Sequence, residues 1–186
     1  MSALFVTGTD TNVGKTFVSC ALIAALRARG RRVTVMKPVE TGVEREPLDA
    51  LALRAAADDP APLDAICPVR LRAPLAPTVA ARLEGRTLDP EQLVRQVIAR
   101  AADADVLLVE GAGGLLVPIA GRFTFADLAR RCALPVLLVA ANRLGTVNHA
   151  ALTARVAEAS YIRMISPSCM MRIRPCVPER NADRSL

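Results

Sequence analysis

The nine residues Gly8-Thr9-Asp10-Thr11-Asn12-Val13-Gly14-Lys15-Thr16 constrain this chain more than any other stretch, because of what flanks them. Leu4 to Thr7 is a short apolar run with β-branched members, and from about Thr16 to Ala28 apolar residues recur at helical spacing until Gly30. That reads as strand, loop and helix, with Gly30 as the terminating signal. In such a turn the backbone N–H groups and the helix N-terminus can surround a phosphate chain. The lysine closing the loop reaches the terminal phosphates and the hydroxyl after it binds Mg²⁺, roles that Lys15 and Thr16 fit. The spacing is irregular: five residues rather than four separate Gly8 from Gly14, and Thr9 stands at the usual first-glycine position.

The rest of the chain repeats the same alternation. Val33 to Met36 reads as a strand ending in Lys37-Pro38, and Asp49 to Ala57 as a helix in which Asp49, on local chemistry alone, is an ordinary N-cap. Residues 60 to 77 are punctuated by proline and read as loop with short extended pieces, followed by a brief helix from Thr78 to Leu83. Asp89-Pro90-Glu91 sets an N-cap before a proline at the first helical position, and Leu93, Val94, Val97 and Ile98 then repeat on one face. Val106 to Val109 and Pro135 to Ala141 are apolar without alternation, as strands covered on both faces are, and Thr124 to Arg131 between them is helical. The expected architecture is α/β: a three-layer P-loop NTPase fold with a mostly parallel central sheet flanked by helices. In such sheets ligands bind beyond the carboxyl ends of the strands. The polar landmarks at 8–16, 37–41, 110–114 and 142–148 all follow strands at that end.

Glu110 ends the third of these apolar runs and is followed by Gly111-Ala112-Gly113-Gly114, which permits close backbone approach to a ligand. A carboxylate at the mouth of a buried strand is costly without a partner, and this is where the acidic Mg²⁺ ligand of a P-loop NTPase belongs. Composition adds a second pointer. Of 24 basic residues 22 are arginine, so Lys15 and Lys37, the two lysines, mark positions where a planar guanidinium does not serve.

Five cysteines without a Cys-x-x-Cys pair and a single histidine, His149, argue against a zinc site or a disulfide framework and for a reducing compartment. The net charge of +6 is dispersed among acidic residues and lacks interleaved aromatics, so no nucleic-acid partner is expected. No apolar run approaches the roughly 20 residues a membrane span needs, and Met1 to Gly8 lacks a basic leader, so a cytoplasmic protein without membrane association is expected.

In its ordered blocks the chain resembles the dethiobiotin synthetase family. The blocks are Val6 to Thr16, Lys37-Pro38-Val39 with Thr41-Gly42, and Asp49-Ala50-Leu51. They continue with Pro74 to Pro77, Val109 to Gly114, Phe123 to Asp127 and Leu144 to His149. The resemblance implies an ATP-dependent ligase that carboxylates 7,8-diaminopelargonic acid with CO₂ and closes the ureido ring through a carbamate and a carbamic-phosphoric anhydride. It implies Lys37 and Lys15 as the catalytic lysines. ATP would contact Asn12, Val13, Gly14, Lys15, Thr16, Phe17, Asp49, Glu110, Gly111, Ala112 and Gly113. Thr16, Asp49 and Glu110 would hold Mg²⁺, which overturns the plain N-cap reading of Asp49. Thr41 would meet the diamine. Gly145, Thr146, Val147 and Asn148 would present a helix N-terminus to the substrate carboxylate across a homodimer interface, with His149 structural.

The resemblance covers most of residues 1 to 160, taken as one P-loop domain incomplete at its C-terminal end. From 161 to 186 glycine is absent, and methionine, cysteine and arginine crowd together in a tail that carries half of the net charge. This segment is expected to be poorly ordered and to be an out-of-frame or otherwise altered reading that ends some tens of residues early. Two alternatives follow: a partition or positioning ATPase, which usually carries an additional lysine where this chain has Thr9-Asp10-Thr11, and an inactive fragment of the synthetase that keeps phosphate binding.

Overall fold

The computed structural model describes residues 2–102 and 105–165. Its first half runs β1 (Ser2–Gly8), α1 (Lys15–Arg27), β2 (Val33–Met36), β3 (Val39–Thr41), α2 (Leu48–Ala57), α3 (Leu63–Ile66), β4 (Val69–Leu71) and α4 (Pro77–Leu83). The second half runs α5 (Pro90–Ala101), β5 (Val106–Glu110), β6 (Pro118–Ala120), β7 (Phe123–Thr124), α6 (Phe125–Arg131), β8 (Val136–Val139) and α7 (Thr146–Ala159).

The central sheet is parallel in the order β2-β5-β1-β8, with Phe5 opposite both Val109 and Val136. Because side chains alternate across a strand, neighbouring apolar residues feed opposite layers. Phe5, Leu107, Val109 and Val136 pack with α4, α5 and α6 on one face, whereas Val6, Val35, Leu108 and Val139 pack with α1, α2 and α3 on the other. The layered α/β/α arrangement expected from non-alternating strands is therefore present. Two small sheets border the site end: parallel β3-β4 and the antiparallel β6-β7 hairpin.

Several local expectations shift. The 60–77 segment holds a one-turn helix, α3, and a strand, β4, whose three residues align with β3 across the intervening helices. Thr124 does not belong to α6 but caps it: its hydroxyl oxygen accepts the Asp127 N–H at 3.3 Å and the Asp127 carboxylate accepts the Thr124 N–H at 2.9 Å. On α5, Leu93, Val94 and Val97 are buried but Ile98 faces solvent. At the free edge of β8, the Val136 N–H donates to Arg163 O and the Ile165 N–H to Val136 O, so the first residues of the segment set apart at 161 run beside the sheet and bury Ile162. Residues 166–186, the remainder of that segment, lie outside the described residues.

Candidate active site

The loop after β1 is built around close approach. A Cβ on Gly8 would lie 2.7 Å from Asp10 O and 3.2 Å from Lys15 Nζ, leaving no room for a side chain. Asn12 and Gly14 take left-handed φ values of 57° and 93°, which turn the chain into α1. The Gly8 N–H donates to Gly113 O and the Thr9 N–H to Val139 O, fastening the loop to the ends of β5 and β8. Val13 packs inward against the layer beneath α1. Lys15 is 7% exposed and donates to Asp10 O at 3.0 Å, so its ammonium is curled inside the loop. Burial, reinforced by the charge of Lys37, pulls this ammonium below its ordinary value.

Four side chains from four elements meet where α1 begins. Lys37, just past β2, is 2% exposed and its Nζ donates to Glu110 Oε1 at 2.7 Å, to Asp49 Oδ2 at 2.8 Å and to Gly111 O at 3.3 Å. Thr16 Oγ1 lies 2.9 Å from both Asp49 Oδ1 and Glu110 Oε1. Burial opposes the charge on Lys37, but the Glu110 and Asp49 carboxylates outweigh it and hold the ammonium above its ordinary value. Burial likewise pushes Asp49 up, and the Lys37 ammonium outweighs it and holds the carboxyl below its ordinary value. Glu110 is fully buried, as its place at the strand mouth suggested, and its second oxygen accepts from Ser19 Oγ at 2.6 Å.

An open cleft of about 780 Å³ lies over this cluster. Asn12, Gly14, Lys15, Thr16, Phe17, Lys37, Thr41, Asp49, Ala112 and Gly113 line it, together with Pro74 to Pro77 from the resemblance blocks. Gly111 sits behind, where a Cβ would meet Phe5 Cζ at 2.7 Å. Gly145, Thr146, Val147 and Asn148 do not line the cleft; they open α7, the helix after β8, largely exposed, and the loop before them reaches the phosphate loop through Arg143 and Asp10 at 3.1 Å. The His149 N–H donates to Gly145 O within the first turn of α7.

Asp49 is not the N-cap of α2. Pro47 occupies that position without a side-chain bond, and Glu40 caps the helix from β3: its carboxylate accepts the N–H of Asp49 and the N–H of Ala50, each at 3.0 Å. The sequence reading missed Glu40 and Ser19. Ser19 carries a usable signal, being a small polar residue one turn after Thr16 on the side of α1 that also buries Ile23. Glu40 carries only the oddity of an acid between Val39 and Thr41 in a strand.

The carboxylate and hydroxyl oxygens of Thr16, Asp49 and Glu110 suit a hard cation. Among the described residues no group of three or more His, Cys, Asp or Glu side chains forms a complete metal cage. Two carboxylates and a hydroxyl fit the habit of Mg²⁺, which takes one or two protein carboxylates and completes its shell with phosphate and water.

A family model described as an AAA domain matches residues 2–166. The fold is similar to that of the BceF tyrosine kinase domain, with a TM-score of 0.51 at 18% identity over 87% of this chain and 65% of that one, a likeness of fold alone. The ATP-dependent dethiobiotin synthetase BioD of Caulobacter sp. (strain K31) is 48% identical over 170 residues, 88% of this chain and 74% of that protein. The protein of the same name from Anaeromyxobacter sp. (strain K) is 56% identical over 159 residues, 85% of this chain and 71% of its own length. Identity of that order over more than two thirds of each relative is shared descent, and the chain belongs to the dethiobiotin synthetase family.

Proposed function

We propose that this chain carboxylates 7,8-diaminopelargonic acid with CO₂ and closes its ureido ring at the expense of ATP, giving dethiobiotin, ADP and phosphate. One amine takes up CO₂ as a carbamate. A carbamate oxygen attacks the γ-phosphorus while the bond to the β,γ-bridging oxygen breaks. The second amine then attacks the carbonyl of the mixed anhydride, loses a proton and expels phosphate.

The observation that carries this reading is Lys37, a buried ammonium fixed by two carboxylates beside the phosphate loop. Phosphoryl transfer asks the protein for position and positive charge rather than for a nucleophile. The carboxylate contacts keep Lys37 charged and hold its Nζ at the cleft floor, where carbamate and phosphoryl oxygens would meet it. Lys15 donates to Asp10 O within the loop, a bond it can exchange for the β- and γ-phosphate oxygens. The N–H groups from Asn12 to Thr16 wrap the same phosphates, and Gly111, Ala112 and Gly113 allow the ligand to approach the backbone. Phe17, exposed at the cleft mouth, borders the nucleotide. Thr41, on the rim with Pro74 to Pro77, orients the diamine. Thr16, Asp49 and Glu110 would hold Mg²⁺, which neutralises phosphate oxygen charge when bound.

The active form is a homodimer with the site at the subunit interface. Leu144, Val147 and Leu152 are exposed at 102%, 80% and 58% around the first turns of α7, an apolar surface suited to a second copy. Gly145 to Asn148 lie on that surface, positioned to offer a helix N-terminus to the partner's substrate carboxylate. Cytoplasmic action agrees with the free thiols of Cys20, Cys67 and Cys132, and no helix among the described residues is long and apolar enough to cross a membrane.

Phosphate release from Mg-ATP in bicarbonate buffer, measured with and without the diamine, tests the reading. Release that requires the diamine is expected. Release from folded protein that ignores the diamine would return the chain to the ATPase-switch alternative, and none at all would leave an inactive fragment.

A further inference from the structure

Helix α2 starts without a local acceptor for its first N–H groups. Pro47 stands at the N-cap position and its side chain cannot accept a hydrogen bond. Leu48 opens the helix at an exposed position, and the next two N–H groups, those of Asp49 and Ala50, are met by one carboxylate, that of Glu40, with an oxygen for each at 3.0 Å. Glu40 is 7% exposed, so water is not an easy substitute. Buried backbone donors demand partners, and a bidentate contact fixes direction as well as distance.

The arrangement matters because of which residue it holds. Asp49 is one of the two amides so gripped, and its carboxylate lies on Lys37 at 2.8 Å and Thr16 at 2.9 Å. Glu40 itself stands three residues after Lys37 and one before Thr41. One side chain thereby ties the strand that follows the lysine to the helix that carries the aspartate. The Glu40 carboxylate thus occupies the N-terminus of α2, whereas the N-terminus of α1 has no side-chain cap.

We propose that Glu40 is a positioning residue of the synthetase site: it acts through Asp49, setting the aspartate for the Mg²⁺-dependent binding of nucleotide. This rests on the metal role assigned above to Asp49. A helix support that served stability alone would weaken the fold without coupling to Asp49, and the two differ in their thermodynamic cycle.

The test uses the full chain and the variants Glu40→Ala, Asp49→Ala and the double variant. The Mg²⁺ concentration giving half-maximal ATP binding is measured by calorimetry, together with amide hydrogen exchange at Asp49 and Ala50 in ligand-free protein. E40A is expected to raise the Mg²⁺ requirement about tenfold, to speed exchange at both amides, and to add nothing in the D49A background. Glu40→Gln, which keeps one carbonyl oxygen, is expected to fall between wild type and E40A and serves if E40A is too unstable to study. If the effects of E40A and D49A are additive, or if E40A and E40Q leave the Mg²⁺ requirement unchanged, the proposal is overturned while the metal role of Asp49 stands. If D49A itself leaves the Mg²⁺ requirement unchanged, the metal assignment fails and the proposal falls with it.

Discussion

Lys37 concentrates the physics of the site in one side chain. Its ammonium is 2% exposed and bonded to a carboxylate that is fully buried. Breaking such a pair from one side leaves an uncompensated buried charge, which costs about 3–5 kcal/mol. Lys37→Met is therefore expected to lower stability by about that amount in urea unfolding, and Lys37→Met with Glu110→Gln to recover most of it. Neither protein regains turnover: loss of a preorganised donor to the developing charge is expected to cut kcat by about 10²–10³-fold. The pH dependence follows from the two shifts. Lys37 is held above 10.5, so its contribution is complete below 10.5 and is lost as pH rises through the higher native value. Asp49 is held below 3.8, so its contribution is complete above 3.8 and is lost as pH falls through the lower native value. Wild-type stability, followed by unfolding across a pH range that extends beyond both limits, is expected to show a plateau with a limb at each end, and K37M to lose those limbs.

At the scale of single elements, two short stretches decide whether the site is held at all. The phosphate loop tolerates no side chain at Gly8, because a Cβ there would press on backbone at Asp10, 2.7 Å away, and on the Lys15 ammonium. Gly8→Ala is expected to abolish ATP binding in calorimetry while the protein keeps its helical circular dichroism. Beneath the Gly111 turn, α6 is anchored by its capping box and by Phe125, whose ring centroid lies 6.0 Å from that of Phe5. Thr124→Ala is expected to cost about 1 kcal/mol in urea unfolding and Thr124→Ser to restore it. The phosphate loop and the start of α5 were readable because their partners are near in sequence, Gly14 to Lys15 and Asp89 to Pro90, whereas Thr124 was read as part of α6 and proved to be its cap. The β3-β4 pairing was not readable, since three-residue strands carry almost no period and their register here depends on the helices packed between them.

Across the described residues, the start of α7 is among the places where large apolar side chains face outward. Leu144 and Val147 are exposed at the start of α7, and a second copy would bury them. On the proposed dimer, the wild type is expected to sediment as a dimer and the double variant Leu144→Asp, Val147→Asp as a monomer that loses diamine-dependent phosphate release while still binding ATP. A variant that stays dimeric would move the interface elsewhere.

Features written in short-range chemistry were legible before any fold was known. The loop from Gly8 to Thr16, the buried runs that became β1, β2, β5 and β8, and the family itself follow from patterns within a few residues, because backbone geometry and helix or strand period act locally. The tertiary structure alone decided how those pieces meet. The order β2-β5-β1-β8 brings Glu110 to Thr16, 94 residues away in sequence, and Lys37 to Glu110, 73 away. It also gave the cap of α2 to Glu40 rather than to Asp49, freeing the aspartate for the lysine. A helix N-terminus asks only for an acceptor oxygen, and nothing local to residue 49 says that a strand across the cleft supplies one.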